Sequence, residues 1–300
     1  MIGKRYTWIV CFCSLCCFLG FNTWSFADTQ HISFAYLEAG LKDLNDADRH
    51  VAVQLLAKEL IRDSGNEIKV FPLNSMAEML DMIEVGKVNY VIINSYLYLT
   101  GRQKLQPFLT DEIWGIQRAQ EAKENYVLVV AQDFNYQNLQ SLLGKSISIH
   151  KDYLLVNFYL NYLVKKEAKL PINKFFKRIK DTRTDSQAVL DVFFKTSDSC
   201  LVPQYIVDLV AELNPSVLKG IRIVHYSGAK FIPALVLRLK NNSVDTSNMI
   251  RNNLLTLSDN ARGQEIMNLF SIKSIKPINA NALQDMIKLY DEYQSMAVEK

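Results

Sequence analysis

The residues able to do metal, acid–base or nucleophilic chemistry are few and dispersed. The four histidines, His31, His50, His150 and His225, show neither an i, i+4 pair nor the Cys/His spacing that gathers ligands around one ion. No G-x-S-x-G turn presents a nucleophilic serine, and no G-x-G-x-x-G loop presents amides to a dinucleotide. Gly144-Lys145-Ser146 has the composition of the end of a phosphate-binding loop. Leu139 stands where the first glycine of that loop belongs, and a strand follows where a helix is needed, so the tripeptide reads as a turn. The sequence therefore points to binding rather than catalysis, with no metal and no cofactor implied.

The first 27 residues read as a cleavable export signal. Lys4 and Arg5 precede an apolar run from Trp8 to Phe21, and Ser25-Phe26-Ala27 supplies small residues for cleavage. At about 14 residues, the run is shorter than the roughly 20 that span a bilayer. Neither Cys16 nor Cys17 carries the flanking residues that lipid attachment requires, so the mature chain is expected to begin near Asp28 with no membrane anchor. Four of the five cysteines, including the Cys13-x-x-Cys16 pair, fall within this segment. Only Cys200 remains, which leaves no internal disulfide and suggests a core thiol. Removing Lys4 and Arg5 takes the net charge from +3 to +1. Such a weak field argues against nucleic acid or an anionic membrane as partner.

The mature chain alternates strand-like and helix-like patterns. Ile32 to Leu37 reads as a strand, and Asn45 to Ser64 as a helix with Val53, Leu56 and Leu60 on one face. Ile68 to Phe71 leads to Ser75-Met76-Ala77-Glu78, a capping box, and Gly86 ends the helix that follows. Val88 to Ile93 is the near-continuous apolar run of a strand covered on both faces. Tyr126 to Ala131 and Ile147 to His150 read as strands, and Gln137 to Leu143 as a short helix closed by Gly144. Asp152 offers an N-cap for a helix reaching about Lys166. A second capping box, Thr184-x-x-Gln187, starts a helix to about Lys195. Ser199 to Val202 is a strand, and Gln204 to Leu213 is a helix stopped by Asn214-Pro215. Strands are expected at Ile221 to His225 and Ile232 to Leu239, followed by an all-helical tail from about Asp245, Asn260 and Asn281. The class is α/β.

Several stretches keep an order that resembles one family. Gly86 through Tyr98 (GKVNYVIINSYLY) is similar to its glycine turn, buried strand and tyrosine-ending loop, and Leu142 through His150 (LLGKSISIH) to its approach into a second lobe. Val202 through Tyr205 (VPQY), Tyr226-Ser227 with Ile232-Pro233, and Phe270 through Pro277 (FSIKSIKP) resemble its later segments. From about Ile32 to Tyr293 the chain thus resembles the periplasmic phosphate/phosphonate-type solute-binding proteins of ABC importers. The resemblance implies a type 2 periplasmic-binding-protein fold, with two lobes, each a mixed sheet flanked by helices, joined by two crossing strands. The crossings are expected near Tyr126 to Val130 and Lys230 to Val236. Residues 28–130 plus 230–300 would then form lobe 1, and 131–229 lobe 2.

In such folds helix N-termini face the cleft, where free amides and the positive dipole end favour an anion. The resemblance therefore implies a ligand site at the strand-to-helix junctions. The first holds Asn94, Ser95 and Tyr98, although Tyr98 and Tyr96 could equally pack between lobes. The second holds His150, Lys151 and Tyr153, and lacks the Ser/Thr hydroxyls usual for phosphonate. At a third edge lie Thr184 to Ser186, Gln204 and Tyr205, with Gln204 in place of an acidic residue. Ser227 and Tyr36 complete the expected set. The function implied is capture of a small anionic or zwitterionic solute by a periplasmic monomer of a double-membraned bacterium, for delivery to an ABC permease. The alternatives are a ligand sensor that signals to a membrane receptor and an enzyme on the same architecture.

Overall fold

The computed structural model describes residues 31–41, 46–119 and 121–298, so the expected export segment lies outside the described residues. The chain builds β1 (Ile32–Leu37), α1 (Asp46–Leu60), β2 (Ile68–Leu73), α2 (Met76–Glu84), β3 (Tyr90–Asn94), α3 (Ser95–Leu105) and β4 (Leu109–Gln117). It continues with β5 (Tyr126–Ala131), β6 (Ser146–His150), α4 (Leu154–Ala168), α5 (Ile172–Phe175) and β7 (Arg178–Thr182). Next come α6 (Asp185–Phe193), β8 (Ser199–Pro203), α7 (Gln204–Leu213), α8 (Val217–Gly220) and β9 (Ile221–Tyr226). The chain closes with β10 (Ala234–Leu239), α9 (Val244–Leu255), α10 (Ala261–Leu269), β11 (Ser274–Ile278) and α11 (Gln284–Val298).

Two mixed sheets result, in the orders β2-β1-β3-β10-β4-β11 and β7-β6-β8-β5-β9. Within the first, β1 runs parallel to β2 and β3, and β10 antiparallel to both β3 and β4. Within the second, β6 runs parallel to β7 and β8, and β5 antiparallel to β8 and β9. Every residue of β1, β3 and β5 is buried, because helices cover both faces and the pleat sends successive side chains to opposite cores. Phe34, Tyr36, Ile92 and Trp114 pack under α1, α9 and α10, whereas Val127, Val129, Cys200 and Val202 pack under α6 and α7.

The opposite faces of the two sheets share a third core. Ala35, Val91 and Leu235 join Leu128, Ile147 and Ile149 through side chains of α3, α4 and α11. The C-terminal helix thus fastens one lobe to the other, and Glu292 on it accepts a hydrogen bond from Tyr162 (2.8 Å) and pairs with Lys166 (3.0 Å).

Four local expectations are corrected. Tyr126 to Val130 is not a crossing, since it pairs with β8 and β9 in the middle of the second sheet. A wholly apolar run belongs between two helical layers, and the passage between sheets is the polar segment 118–125. The chain returns through residues 227–233, so β10 starts two residues later than expected. The tail is not all helical: β11 lines the first sheet's edge against β4, a position that tolerates Pro277 because an edge strand need not donate on its outer side. Asp152 does not cap α4. Tyr153 holds the N-cap position without a side-chain cap, and the Asn157 side chain closes the turn by donating to the His150 and Tyr153 carbonyls, each at 2.9 Å.

Gly228 in the returning segment has φ +76. An added Cβ would meet nothing closer than 3.7 Å, so the demand is conformational rather than steric. Gly228→Ala is expected to cost about 1–2 kcal/mol, measured as a lower urea midpoint with an unchanged slope. An unchanged midpoint would show that this segment relaxes at no cost.

Candidate functional site

In each sheet the strand order reverses once, beside β1, which lies between β2 and β3, and beside β6, which lies between β7 and β8. Open α/β sheets bind ligands in the crevice beyond the carboxyl ends of strands at such switch points. Here the crossings 118–125 and 227–233 join the two sheets, and residues that follow β1 and end β6, Leu41 and His150, border one space. Backbone hydrogen bonds link the crossings: Glu124 N donates to the Phe231 carbonyl (2.6 Å), and Phe231 N to the Glu124 carbonyl (3.2 Å). Phe231 also stacks on Tyr126, with centroids 4.3 Å apart.

A cavity of about 230 Å³ lies in this space. The first sheet and its helices contribute Leu41, Arg118, Phe270 and Ser271. Facing them are His150 at the end of β6, Arg183 to Ser186 at the start of α6, and Tyr205 at the start of α7. The α6 end is tied down by the expected box in a shifted form. Gln187 N donates to Thr184 Oγ1 (3.2 Å), while the Gln187 side chain accepts from Arg183 N (3.2 Å), one residue before the cap. Ser75 and Glu78 do the same at α2, with Glu78 accepting from Asn74 N at 2.9 Å.

Behind the cavity lies a buried polar cluster. The Arg118 guanidinium sits 5.3 Å from the Tyr153 ring centroid, within cation–π range. The Tyr153 hydroxyl donates to Glu124. Burial pushes the Glu124 carboxyl up to about 7, Arg118 and the Tyr153 hydrogen bond oppose the rise, and Asp185 adds to it. Burial also pushes the Tyr153 and Tyr126 phenols well up, which keeps both neutral. His150 Nδ1 lies 3.4 Å from Asp185 Oδ2. Arg118 and Arg183 thus both line one small cavity, and guanidinium forks match the geometry of oxyanions. Among the described residues no group of three or more His, Cys, Asp or Glu could hold a metal ion.

The structure brings His150, Thr184 to Ser186 and Tyr205 into this cavity. Tyr153 stands behind it. Gln204 accepts from Asn125 Nδ2 (2.8 Å) and so ties α7 to the first crossing. Ser227 accepts from Tyr126 N and donates to the Gly228 carbonyl, both at 2.8 Å. Asn94 caps α3 by accepting from Tyr96 N (2.8 Å), and the fully buried Ser95 donates its amide to Pro233 (3.1 Å). Tyr98 lies in the core shared by the lobes. Tyr36 lies in the first-lobe core with its hydroxyl 3.4 Å from His50 Nδ1. Lys151 projects from the exposed turn before α4. Sequence reasoning missed Arg118, Glu124 and Arg183. The usable signals were the polar run between two apolar strands, which marks a crossing, and the position of Arg183 directly before a cap.

No curated protein matches the sequence. Among solved structures, a binding protein component of an ABC phosphonate transporter from Pseudomonas aeruginosa is similar at TM-score 0.57 and 16% identity, over 90% of this chain and 89% of that one. PhnD1 of Prochlorococcus marinus, solved with methylphosphonate, gives TM-score 0.60 and 13% identity over 89% and 99%. XAC2383 of Xanthomonas citri, solved with ATP, gives 0.60 and 11% over 89% and 98%. These likenesses show the two-lobe fold. None of the helices among the described residues is long and apolar enough to cross a membrane. The family model for the periplasmic substrate-binding protein of phosphonate ABC transporters matches residues 43–283, and the chain belongs to that family.

Proposed function

We propose that the protein captures a small organic oxyanion of the phosphonate kind between its lobes and delivers it, chemically unchanged, to the permease of an ABC importer. The observation that carries this reading is that Arg118 and Arg183 both line one cavity at the start of α6. The cavity, at about 230 Å³, is smaller than the roughly 300–1,000 Å³ of sites for drug-sized ligands, which suits a solute of few heavy atoms. The basic and apolar leader at residues 4–21 supports export to the periplasm.

Thermal shift and calorimetry with methylphosphonate and methanesulfonate test the proposal. Either anion at about 100 times its Kd should stabilise the protein by about 2.7 kcal/mol, and the compound should be recovered intact. No response to either anion sinks the reading, and turnover of the bound compound would replace it with catalysis.

A further inference from the structure

Glu124 does two jobs on the first crossing. Its backbone bridges the two crossings, and the residue is 3% exposed. One carboxyl oxygen accepts the Tyr153 hydroxyl, while Oε1 is buried without a hydrogen-bond partner among the described residues. An ionised carboxylate left in that state is expensive, and its neutral form much less so.

The groups that face it come from every element around it. Arg118 lies on its own crossing, Tyr126 on β5, Tyr153 at the start of α4 and Asp185 at the start of α6. Tyr205 of α7 acts on the two phenols, and the His150 ring of β6 meets that of Tyr153 edge-on at 6.4 Å. Lys230 on the returning crossing turns its ammonium to the Ser227 carbonyl (2.7 Å), and Lys123 pairs with Asp285 (2.9 Å). Arg118 and Asp185 line the cavity as well as acting on Glu124, so charge placed in the cavity is felt at this carboxyl.

We infer that capture of an anion in the cleft is coupled to uptake of one solvent proton by Glu124, an inference that rests on the anion reading above. The step is Glu124 carboxylate plus proton plus anion giving Glu124 carboxylic acid with the anion bound. When ionised, Glu124 competes with the ligand for the field of Arg118. When neutral, it no longer draws on that field. The sign follows: a bound anion raises the carboxyl's proton affinity further, so binding takes up a proton and weakens as pH rises. With the free carboxyl titrating at about 7, its protonated fraction falls about tenfold from pH 6 to pH 8, and affinity falls with it.

Calorimetry with methanesulfonate, which stays a monoanion throughout, in two buffers of different ionisation heat counts the protons directly. The expected result is uptake approaching one proton above about pH 7 and about tenfold weaker binding at pH 8 than at pH 6. Glu124→Gln should abolish both effects, whereas His150→Gln should retain them. Where only methylphosphonate binds, subtracting the Glu124→Gln result from the wild type removes the ligand's own proton. Should Glu124→Gln fail to fold, a carboxyl-carbon NMR titration of glutamate-labelled wild type reads the same proton. A carboxyl that titrates near 7 and moves up with anion sustains the inference, and its absence overturns it. Binding with no pH dependence, or proton uptake lost in His150→Gln, overturns the inference alone. Silence from both anions overturns the anion reading and this inference together.

Discussion

Arg118→Ala is expected to weaken methylphosphonate binding by roughly 30- to 150-fold, the equivalent of about 2–3 kcal/mol for a charge-assisted hydrogen bond removed from inside a cleft. The guanidinium is half-buried, rests over the Tyr153 ring and comes from the segment that joins the lobes, so it meets the ligand in a partly desolvated setting. Arg183 is exposed, so its charge is screened by solvent, and Arg183→Ala should cost about tenfold, mostly in association rate. Arg118→Lys should recover only part of the loss, because an ammonium has no planar fork. Calorimetry on the three variants decides the matter. Wild-type affinity in Arg118→Ala would remove this residue from the site and leave the cavity without its central cation.

Phe231→Ala should produce the largest loss of stability, about 3–5 kcal/mol. The ring has no exposed surface, lies nearly parallel to Tyr126 at 4.3 Å and meets Tyr159 edge-on at 5.2 Å. It fills the point where the returning crossing meets the core shared by the two lobes. In thermal denaturation this corresponds to a fall in Tm of roughly 10 °C or more. Phe194→Ala makes the contrast, since that ring is 66% exposed and its loss should change stability by no more than about 0.5 kcal/mol. A loss below about 1 kcal/mol for Phe231→Ala would show that the crossings are not packed as core.

What could be read from the sequence followed from local physics. The buried strands β1, β3 and β5 announce themselves as apolar runs, and Ser75 and Thr184 as caps three residues before Glu78 and Gln187. Gly144 with φ +72 closes a turn that only a residue tolerant of that region fills readily. The strands that escaped notice owe their form to partners far away in the chain. β4 carries Asp111 and Glu112, and Glu112 is tolerated because Arg238 on β10 pairs with it at 3.0 Å. β7 is polar because it is an edge strand of its sheet, and β11 keeps Pro277 for the same reason.

The candidate site divides in the same way. His150 and the Thr184 to Ser186 loop were visible as strand-to-helix junctions, whose free amides depend on the local chain alone. Tyr98 and Tyr36 were equally visible as tyrosines near such junctions, yet both are buried in cores, since nothing local tells which way an aromatic ring turns. Arg118 and Arg183 carry no motif and come to line one cavity only when the two crossings join the two sheets. By itself the sequence determined most of the helices, the buried strands and the family to which they belong. The pairing of the sheets, the core that fastens both lobes and the charge of the cleft were decided by tertiary structure, because a side chain's surroundings are set by long-range contacts that periodicity cannot encode.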